Sequence, residues 1–318
     1  MKNYMVLVLS AILTVAVVWG CKKAFPTEEG YSPIQKSIKL NFEIFCSAPI
    51  HGDESTVIIN YNNNIMIDGS FIFQVYDTIS KTWQVKEVYG DSVASRWDGA
   101  ACYLNNHIYS FGTPWDNNNA EWYKVVKIDP ATLNSWWLPE KLPFTKYTPY
   151  PAYTTYNNKM IAVFPQVDSV YVFDGATEKG KLVAPNPLRI SNEYLDSPCY
   201  IYGTYNDSLY IFNETSSKFY RLSLASYAWS EIQIPSDIKG IIETEGVYGG
   251  GIWGGWMICF RENNSICYNF SKKEWYFANN DIDFDYRYSE SCFTTADALY
   301  YISHLKLIIW RITIGTVN

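Results

Sequence analysis

Residues 154–164 read TTYNNKMIAVF: a Thr-rich approach, Tyr156, an Asn-Asn pair, then an apolar run. An Asn pair between short hydrophobic segments predicts a two-residue β-hairpin turn. Such a turn matches the strand twist only with positive φ at its centre, which Asn, Asp and Gly tolerate best. The phrase recurs as YNNNIMI at 61–67, YLNNHIYSFG at 103–112 and YNDSLYIF at 205–212. GIWGGWMICF at 251–260 and TTADALYYIS at 294–303 are looser copies, with Gly-Gly and Ala-Asp in the turn. Each copy is expected to be a tight hairpin.

A second phrase follows each of the first. FIFQVYDTISKTW ends at Trp83, WYKVVKIDPATLNSW at Trp136, KFYRLSLASYAW at Trp229 and SICYNFSKKEW at Trp275, while SVYVFDGATEKGKL fills the same slot at Leu182. Each reads as strand, turn and aromatic strand start, and the anchors recur every 46 to 53 residues. A period near 47 with two hairpin turns means about four short strands per unit, the signature of a β-propeller blade. The fold class expected is therefore all-β: a six-bladed β-propeller of four-stranded antiparallel blades, with no helices. The last unit, ending LIIWRITIGTVN, lacks a Trp-led outer strand, and an open ring would leave unpaired edges. IKLNFEIFC at 38–46 alternates apolar and polar residues and is expected to close the ring by pairing with about 306–314. The Trp residues of the second phrase, Trp136 included, are expected to wedge between neighbouring blades.

The second unit, RWDGAACYLNNHIYSFG followed by VVKIDPATLNSWW, resembles a kelch repeat: an Arg, small residues, a hairpin turn, an aromatic-Gly stretch, an Asp-Pro strand end and an outer-strand Trp. The likeness runs from about residue 50 onward and is strongest in units one, two and four. The usual Gly-Gly doublet is reduced to Gly112 and Gly69 in two units and replaced in the others, for instance by Phe164-Pro165.

The bulk composition agrees with strands. Aromatic residues make up 17% of the 318, with 27 Tyr and 12 Trp, and they favour pleated, half-buried surfaces. A formal charge of −7 without a Lys/Arg-rich block gives no footprint for phosphate backbones, so nucleic acid is excluded as a partner class. At the start, Lys2 precedes an apolar stretch from Met5 to Trp19, short for a spanning helix. Its ending Val18-Trp19-Gly20-Cys21 resembles a bacterial lipobox, although Trp19 departs from the usual small or β-branched residue. The resemblance implies a signal peptide over 1–20, lipidation of Cys21, a tether over 21–37 and a propeller over 38–318, held at the outer membrane by the lipid anchor. Among the other six cysteines only Cys259 and Cys267 invite pairing, because they flank RENNS and would face each other in a hairpin centred on Asn263; buried free thiols are the alternative. No CxxC pair has zinc spacing.

Propellers bind where inter-blade loops and the loops between second and third strands converge. Here those segments include GTPWDNNNAEW at 112–122, RENNS at 261–265, YGDSVASRWD at 89–98, LPFTKYTPYP at 142–151, NPLRISNEYLD at 186–196 and DIDFDYRYSE at 281–290. They place Trp97, Trp115, Tyr147, Tyr150, Tyr194, Tyr286 and Tyr288, with Arg96, Arg189, Arg261 and Arg287, around one mouth. Aromatic faces stack on sugar rings, and Arg pairs with carboxylates or hydroxyls. A glycan or an envelope protein is the expected partner, without catalysis and without a cofactor. The three histidines, His51, His107 and His304, have no metal-ligand spacing, which argues against a copper-radical oxidase of the galactose oxidase kind. Asp281, Asp283 and Asp285 alternate like a calcium loop but lack its Gly and its closing Glu, so no metal is expected. Six-bladed kelch proteins include a sialic acid mutarotase; by that analogy Glu193, Glu262 and Glu290 would be acid and base on an acidic sugar.

Overall fold

The hairpin rule sets the first half of four units. Asn105 and Asn106 have φ of +46° and +63°, Asn157 and Asn158 +48° and +57°, Asn206 and Asp207 +45° and +52°, and Gly254 and Gly255 +60° and +80°. In the computed structural model of the chain, which describes residues 36–47, 57–61, 64–69, 72–77, 79–87, 100–111, 124–142, 152–164, 167–188, 199–213, 216–247, 249–261, 264–280, 292–303 and 308–317, these turns join the two inner strands of four successive sheets. The Ala-Asp copy differs: Thr295 N–H donates to the Ala298 carbonyl (3.0 Å), and the Thr295 hydroxyl bonds the Asp297 carboxylate.

Six four-stranded antiparallel sheets follow the chain. Blade 1 is β2 (Val57–Tyr61), β3 (Asn64–Gly69), β4 (Ile72–Asp77) and β5 (Thr82–Glu87); blade 2 is β6 (Ala100–Leu104), β7 (His107–Phe111), β8 (Lys124–Ile128) and β9 (Ser135–Lys141). Blade 3 is β10 (Ala152–Tyr156), β11 (Lys159–Val163), β12 (Ser169–Asp174) and β13 (Lys179–Pro185); blade 4 is β14 (Cys199–Thr204), β15 (Ser208–Asn213), β16 (Lys218–Ser223) and β17 (Trp229–Ile232). Blade 5 is β18 (Gly250–Trp253), β19 (Trp256–Phe260), β20 (Asn264–Asn269) and β21 (Glu274–Asn279). Blade 6 is β22 (Cys292–Thr294), β23 (Leu299–Ser303) and β24 (Ile308–Val317), completed by β1 (Ile38–Ser47). The first strand of each blade touches the first strand of the next, and β22 touches β2, so the sheets form a closed six-bladed propeller.

Closure uses the N-terminal strand, as the alternation in IKLNFEIFC predicts. Antiparallel pairing sets Leu40 opposite Ile314, Phe42 opposite Ile312 and Ile44 opposite Trp310. Just before it, the Lys36 carbonyl accepts the Phe277 N–H (3.1 Å), and Lys36 pairs with Glu274 of β21. Ile38 and Leu40 are buried against Ile258 and Phe260 of blade 5 and Leu299 of blade 6. The closing strand thus packs on a second blade as well as completing its own sheet.

The second half of blades 1 to 5 is set by one turn chemistry. Asp77, Asp129, Asp174, Ser223 and Asn269 each accept, through the backbone carbonyl, the N–H of the residue four later (2.7 to 2.8 Å). Those fourth residues, Lys81, Leu133, Glu178, Tyr227 and Lys273, all sit at φ of +55° to +57°. The Asp77 carboxylate accepts the N–H of Ile79 and Ser80, and Asp129 that of Ala131 and Thr132; these donors hold both carboxyls below their usual range. This is side-chain turn capping, repeated with the period of the blade.

Six residues beyond each of these anchors lies a wedge position, occupied by Trp83, Ser135, Gly180, Trp229 and Trp275. The tryptophans pack on the preceding blade. Trp83 joins Phe45 and Tyr300 of blade 6, Trp229 donates its indole N–H to the Pro185 carbonyl of blade 3 (2.8 Å), and Trp275 lies 5.4 Å from the Phe219 ring of blade 4. A wedge buried in this way contributes about 1.5–3 kcal/mol. One expected wedge, Trp136, is not a wedge. Trp136 is 38% exposed and Leu182 47% exposed, because counting from the turn puts Ser135 and Gly180 in the slot. At Gly180 the Tyr171 hydroxyl already fills the space where a Cβ would stand, 2.0 Å away, and the Gly180 N–H donates to Glu140 of blade 2 (2.8 Å).

Between blades 2 and 3 polar contacts add to a buried apolar core that includes Tyr109, Phe111, Tyr171 and Phe173. Glu178 accepts from the Lys127 ammonium (2.5 Å) and the Tyr109 hydroxyl (3.1 Å). Partial burial by itself would raise the Glu178 carboxyl; these hydrogen bonds and the Lys127 charge outweigh it and leave the group below its usual range. The unfolded value is about 4.3. The stabilisation is therefore complete above that pH and lost as pH falls through the lower folded value. Glu178→Gln is expected to unfold at lower urea than the parent at pH 7, with the difference narrowing below about pH 4 in chemical denaturation curves.

Two further expectations are corrected. The chain has an α-helix, α1 (Ser236–Glu245), between β17 and β18; Pro235 precedes it, and Ile238 and Ile242, four apart, are buried. Cys259 and Cys267 are free thiols. The hairpin pairs Cys259 with Ile266 and Ile258 with Cys267, so the two cysteines project from opposite faces of the sheet. Burial pushes both thiols well above their usual range.

Candidate functional site

Every blade has two ends. One carries the left-handed hairpins and the capped turns. The other carries the ends of second and fourth strands, which join the segments where an aromatic and arginine-rich mouth is expected. At this second end the structure describes a set of short-range braces.

In blade 3, Asn186 follows β13 directly. Its amide N–H donates to the carbonyls of Phe164 (3.0 Å) and Val167 (2.8 Å), and its Oδ1 accepts the Leu188 N–H (2.9 Å). In blade 5, Asn280 follows β21 directly, donates to the Arg261 carbonyl (2.8 Å) and accepts from the Ser265 hydroxyl (2.6 Å). Phe164 and Arg261 are each the first residue beyond their blade's second strand. One chemical device therefore recurs two blades apart: an Asn at the start of the exit to the next blade clamps the loop between strands two and three. Asn186 is 6% exposed, so its full set of partners is what makes its burial tolerable. In blade 4 the brace is local, with the Asn213 carboxamide oxygen accepting from the Ser216 N–H and hydroxyl (both 2.9 Å).

Arg261 is the one expected mouth residue that the structure describes. It is 1% exposed, and its Nη1 donates to Asn264 (2.5 Å) across the loop that the sequence RENNS spans. It is a buried side chain that links the residues on either side of that loop. A buried guanidinium is retained only with hydrogen-bonding partners, because stranding its charge would cost several kcal/mol. The other expected residues, Arg96, Trp97, Trp115, Tyr147, Tyr150, Arg189, Tyr194, Tyr286, Arg287 and Tyr288, lie outside the described residues. So do Cys21 and the carboxylates Glu193, Glu262 and Glu290.

Sequence reasoning missed the clamps and the helix. A signal existed for each. Asn186 and Asn280 stand two blade periods apart, each closing a strand, and Ile238 and Ile242 have helical spacing after a proline. Among the described residues no group of three or more His, Cys, Asp or Glu comes together to hold a metal. No helix among them is long and apolar enough to cross a membrane. Burial pushes the Cys46 thiol up to about 11 and that of Cys292 up to about 12, which marks them as protonated side chains at neutral pH rather than nucleophiles.

No protein-family model matches the chain, and no curated protein matches its sequence. Solved structures do match. The structure of YjhT superposes with a TM-score of 0.60 at 12% identity, over 86% of this chain and 100% of that one. A structural genomics protein of unknown function from Bacteroides thetaiotaomicron VPI-5482 superposes with a TM-score of 0.57 at 10% identity, over 87% of this chain and 76% of that one. At such identities the likeness shows the propeller fold and nothing finer.

Proposed function

We propose that this chain is a cell-envelope lipoprotein whose kelch-like propeller binds a glycan or an envelope protein at the mouth formed by the second-to-third-strand loops and the inter-blade connections. It does so without catalysis. The observation that carries the reading is the pairing of sequence and scaffold at that end. The segments with the aromatic and Arg content depart from strand ends braced by Asn186, Asn280 and Arg261, so binding groups on them would start from a fixed base. The side-chain-capped turns of blades 1, 4 and 5, at Asp77, Ser223 and Asn269, each followed by a Trp wedge, agree with a kelch-type repeat, and Gly20-Cys21 with lipidation. Trp97 and Trp115 supply stacking faces, and Arg96, Arg189 and Arg287 supply donors for hydroxyls or carboxylates.

The test is a glycan array probed with the full chain, followed by titration of each hit against Trp97→Ala and Trp115→Ala. Affinity is expected to fall at least tenfold in one or both, which is about 1.4 kcal/mol. Unchanged affinity in both variants, or acceleration of anomer exchange on an acidic sugar, would replace this reading with another site or with a mutarotase.

A further inference from the structure

We infer a second carbohydrate site, distinct from the mouth, in the outer end of the seam between blades 2 and 3. Three observations converge there. The seam lacks the indole that plugs three others: its wedge position is Gly180, whose space the Tyr171 phenol ring takes while the Gly180 N–H bonds the Glu140 carboxylate. Both walls then carry an exposed apolar side chain. Trp136 pairs across β9 and β8 with Lys127, which pairs in turn with the buried Tyr109, so Trp136 lies on the face of blade 2 that looks towards blade 3. Leu182 pairs with Tyr171, which belongs to the same inter-blade core, so Leu182 lies on the facing wall. Among the five large hydrophobics that the described residues leave exposed, these are the two that share a seam.

The third observation is the ring of hydrogen-bonding groups around the indole. The Lys127 ammonium stands 5.5 Å from the Trp136 ring centroid and the His107 ring 6.2 Å away, nearly perpendicular. His107 Nδ1 donates to the Asn105 carbonyl (3.0 Å), which leaves Nε2 for a ligand hydroxyl. Glu178 reaches in from blade 3. A flat apolar platform rimmed by an imidazole, an ammonium and a carboxylate is the chemistry that recognises a pyranose: C–H groups on the indole, hydroxyls on the rim. A neutral sugar fits better than an acidic one, because the Lys127 charge is already committed to Glu178. One indole and one leucine are also too little apolar surface for a stable protein interface, which needs about 800 Å² per partner.

The seam is tested with the full chain, using cellohexaose, laminarihexaose and chitohexaose as probes, by saturation-transfer NMR and calorimetric titration. At least one of these neutral oligosaccharides is expected to bind. Trp136→Ala should weaken it at least tenfold and Trp136→Phe by less, with thermal unfolding of both variants at the parent temperature. Because the mouth is separate, Trp136→Ala should leave any array hit that depends on Trp97 or Trp115 at its original affinity. Loss of that hit together with the oligosaccharide, equal oligosaccharide binding by the parent and Trp136→Ala, or no binding of any of the three would overturn the assignment. Capture of a protein partner lost with Trp136→Ala, without sugar binding, would overturn it as well.

Discussion

Leu40→Asp is expected to abolish cooperative folding of the propeller, and Leu40→Ala to lower its stability by about 2–5 kcal/mol. Leu40 is 1% exposed and packs with Ile258, Leu299 and Ile312, so it joins blade 5 to blade 6 from the strand that closes the ring. A carboxylate there would be buried without a counter-charge, a cost no rearrangement of the surrounding aliphatic groups can offset. The consequence extends beyond one cavity. If β1 detaches, the ten-residue β24 becomes an unpaired edge. The variant should therefore aggregate as well as unfold. Urea denaturation followed by tryptophan fluorescence, with size-exclusion chromatography, reads both effects. A Leu40→Asp protein that stays monomeric with the parent midpoint would mean that β1 is dispensable.

Gly250→Ala is the second large effect, expected to cost about 4 kcal/mol or more, enough to leave little folded protein. Gly250 opens β18, the inner strand of blade 5, with φ of +148°, a conformation closed to residues with a Cβ. A Cβ there would stand 1.9 Å from the Ile258 carbonyl oxygen and 2.7 Å from the Tyr202 ring. The first of these is backbone of the neighbouring strand and cannot swing aside, so the clash and the dihedral strain act together. Gly255→Ala provides the contrast: φ is +80°, but the nearest atom a Cβ would meet, the Tyr205 hydroxyl oxygen, is 3.9 Å away, so only the strain remains. Thermal unfolding of the two variants should separate them clearly, with Gly250→Ala far the worse. Equal midpoints would contradict the tight strand approach at Gly250.

Local chemistry repeated at a fixed interval is what makes the fold legible in the sequence. Asn and Gly announce left-handed turns at any position, so YNNKMIAVF and GIWGGWMICF read correctly despite sharing few residues. Alternation in IKLNFEIFC is enough to assign the closing strand and, within about three residues, its partner. The misreadings fall where one residue decides a face. Aligning the units on Trp136 instead of on Asp129 moves blade 2 by one position and hides Ser135 in the wedge slot. A hairpin centred on Asn263 would bring Cys259 and Cys267 together; the actual ladder sets Phe260 opposite Ser265, just off that centre, and sends them apart. The helix α1 is hidden by the strand periodicity around it. The clamps of Asn186 and Asn280 are side-chain bonds to distant backbone, which leave no pattern beyond two matching asparagines. For the mouth, the sequence supplies residue types and the fold supplies the strand ends they depart from. Arg261 is buried, with its side chain bonded to Asn264 and its carbonyl to Asn280, partners that the spacing of the sequence does not announce.

The ring closed by its own N-terminal strand is tested most directly by trapping that contact. Cysteines would be placed at Asn41 and Thr313, which stand opposite one another in the β1–β24 ladder and are both partly exposed. Mild oxidation followed by mass spectrometry of the monomer is predicted to give a peptide cross-linked between positions 41 and 313. A monomer without that link, or a link formed only between two copies of the chain, would contradict the closed propeller.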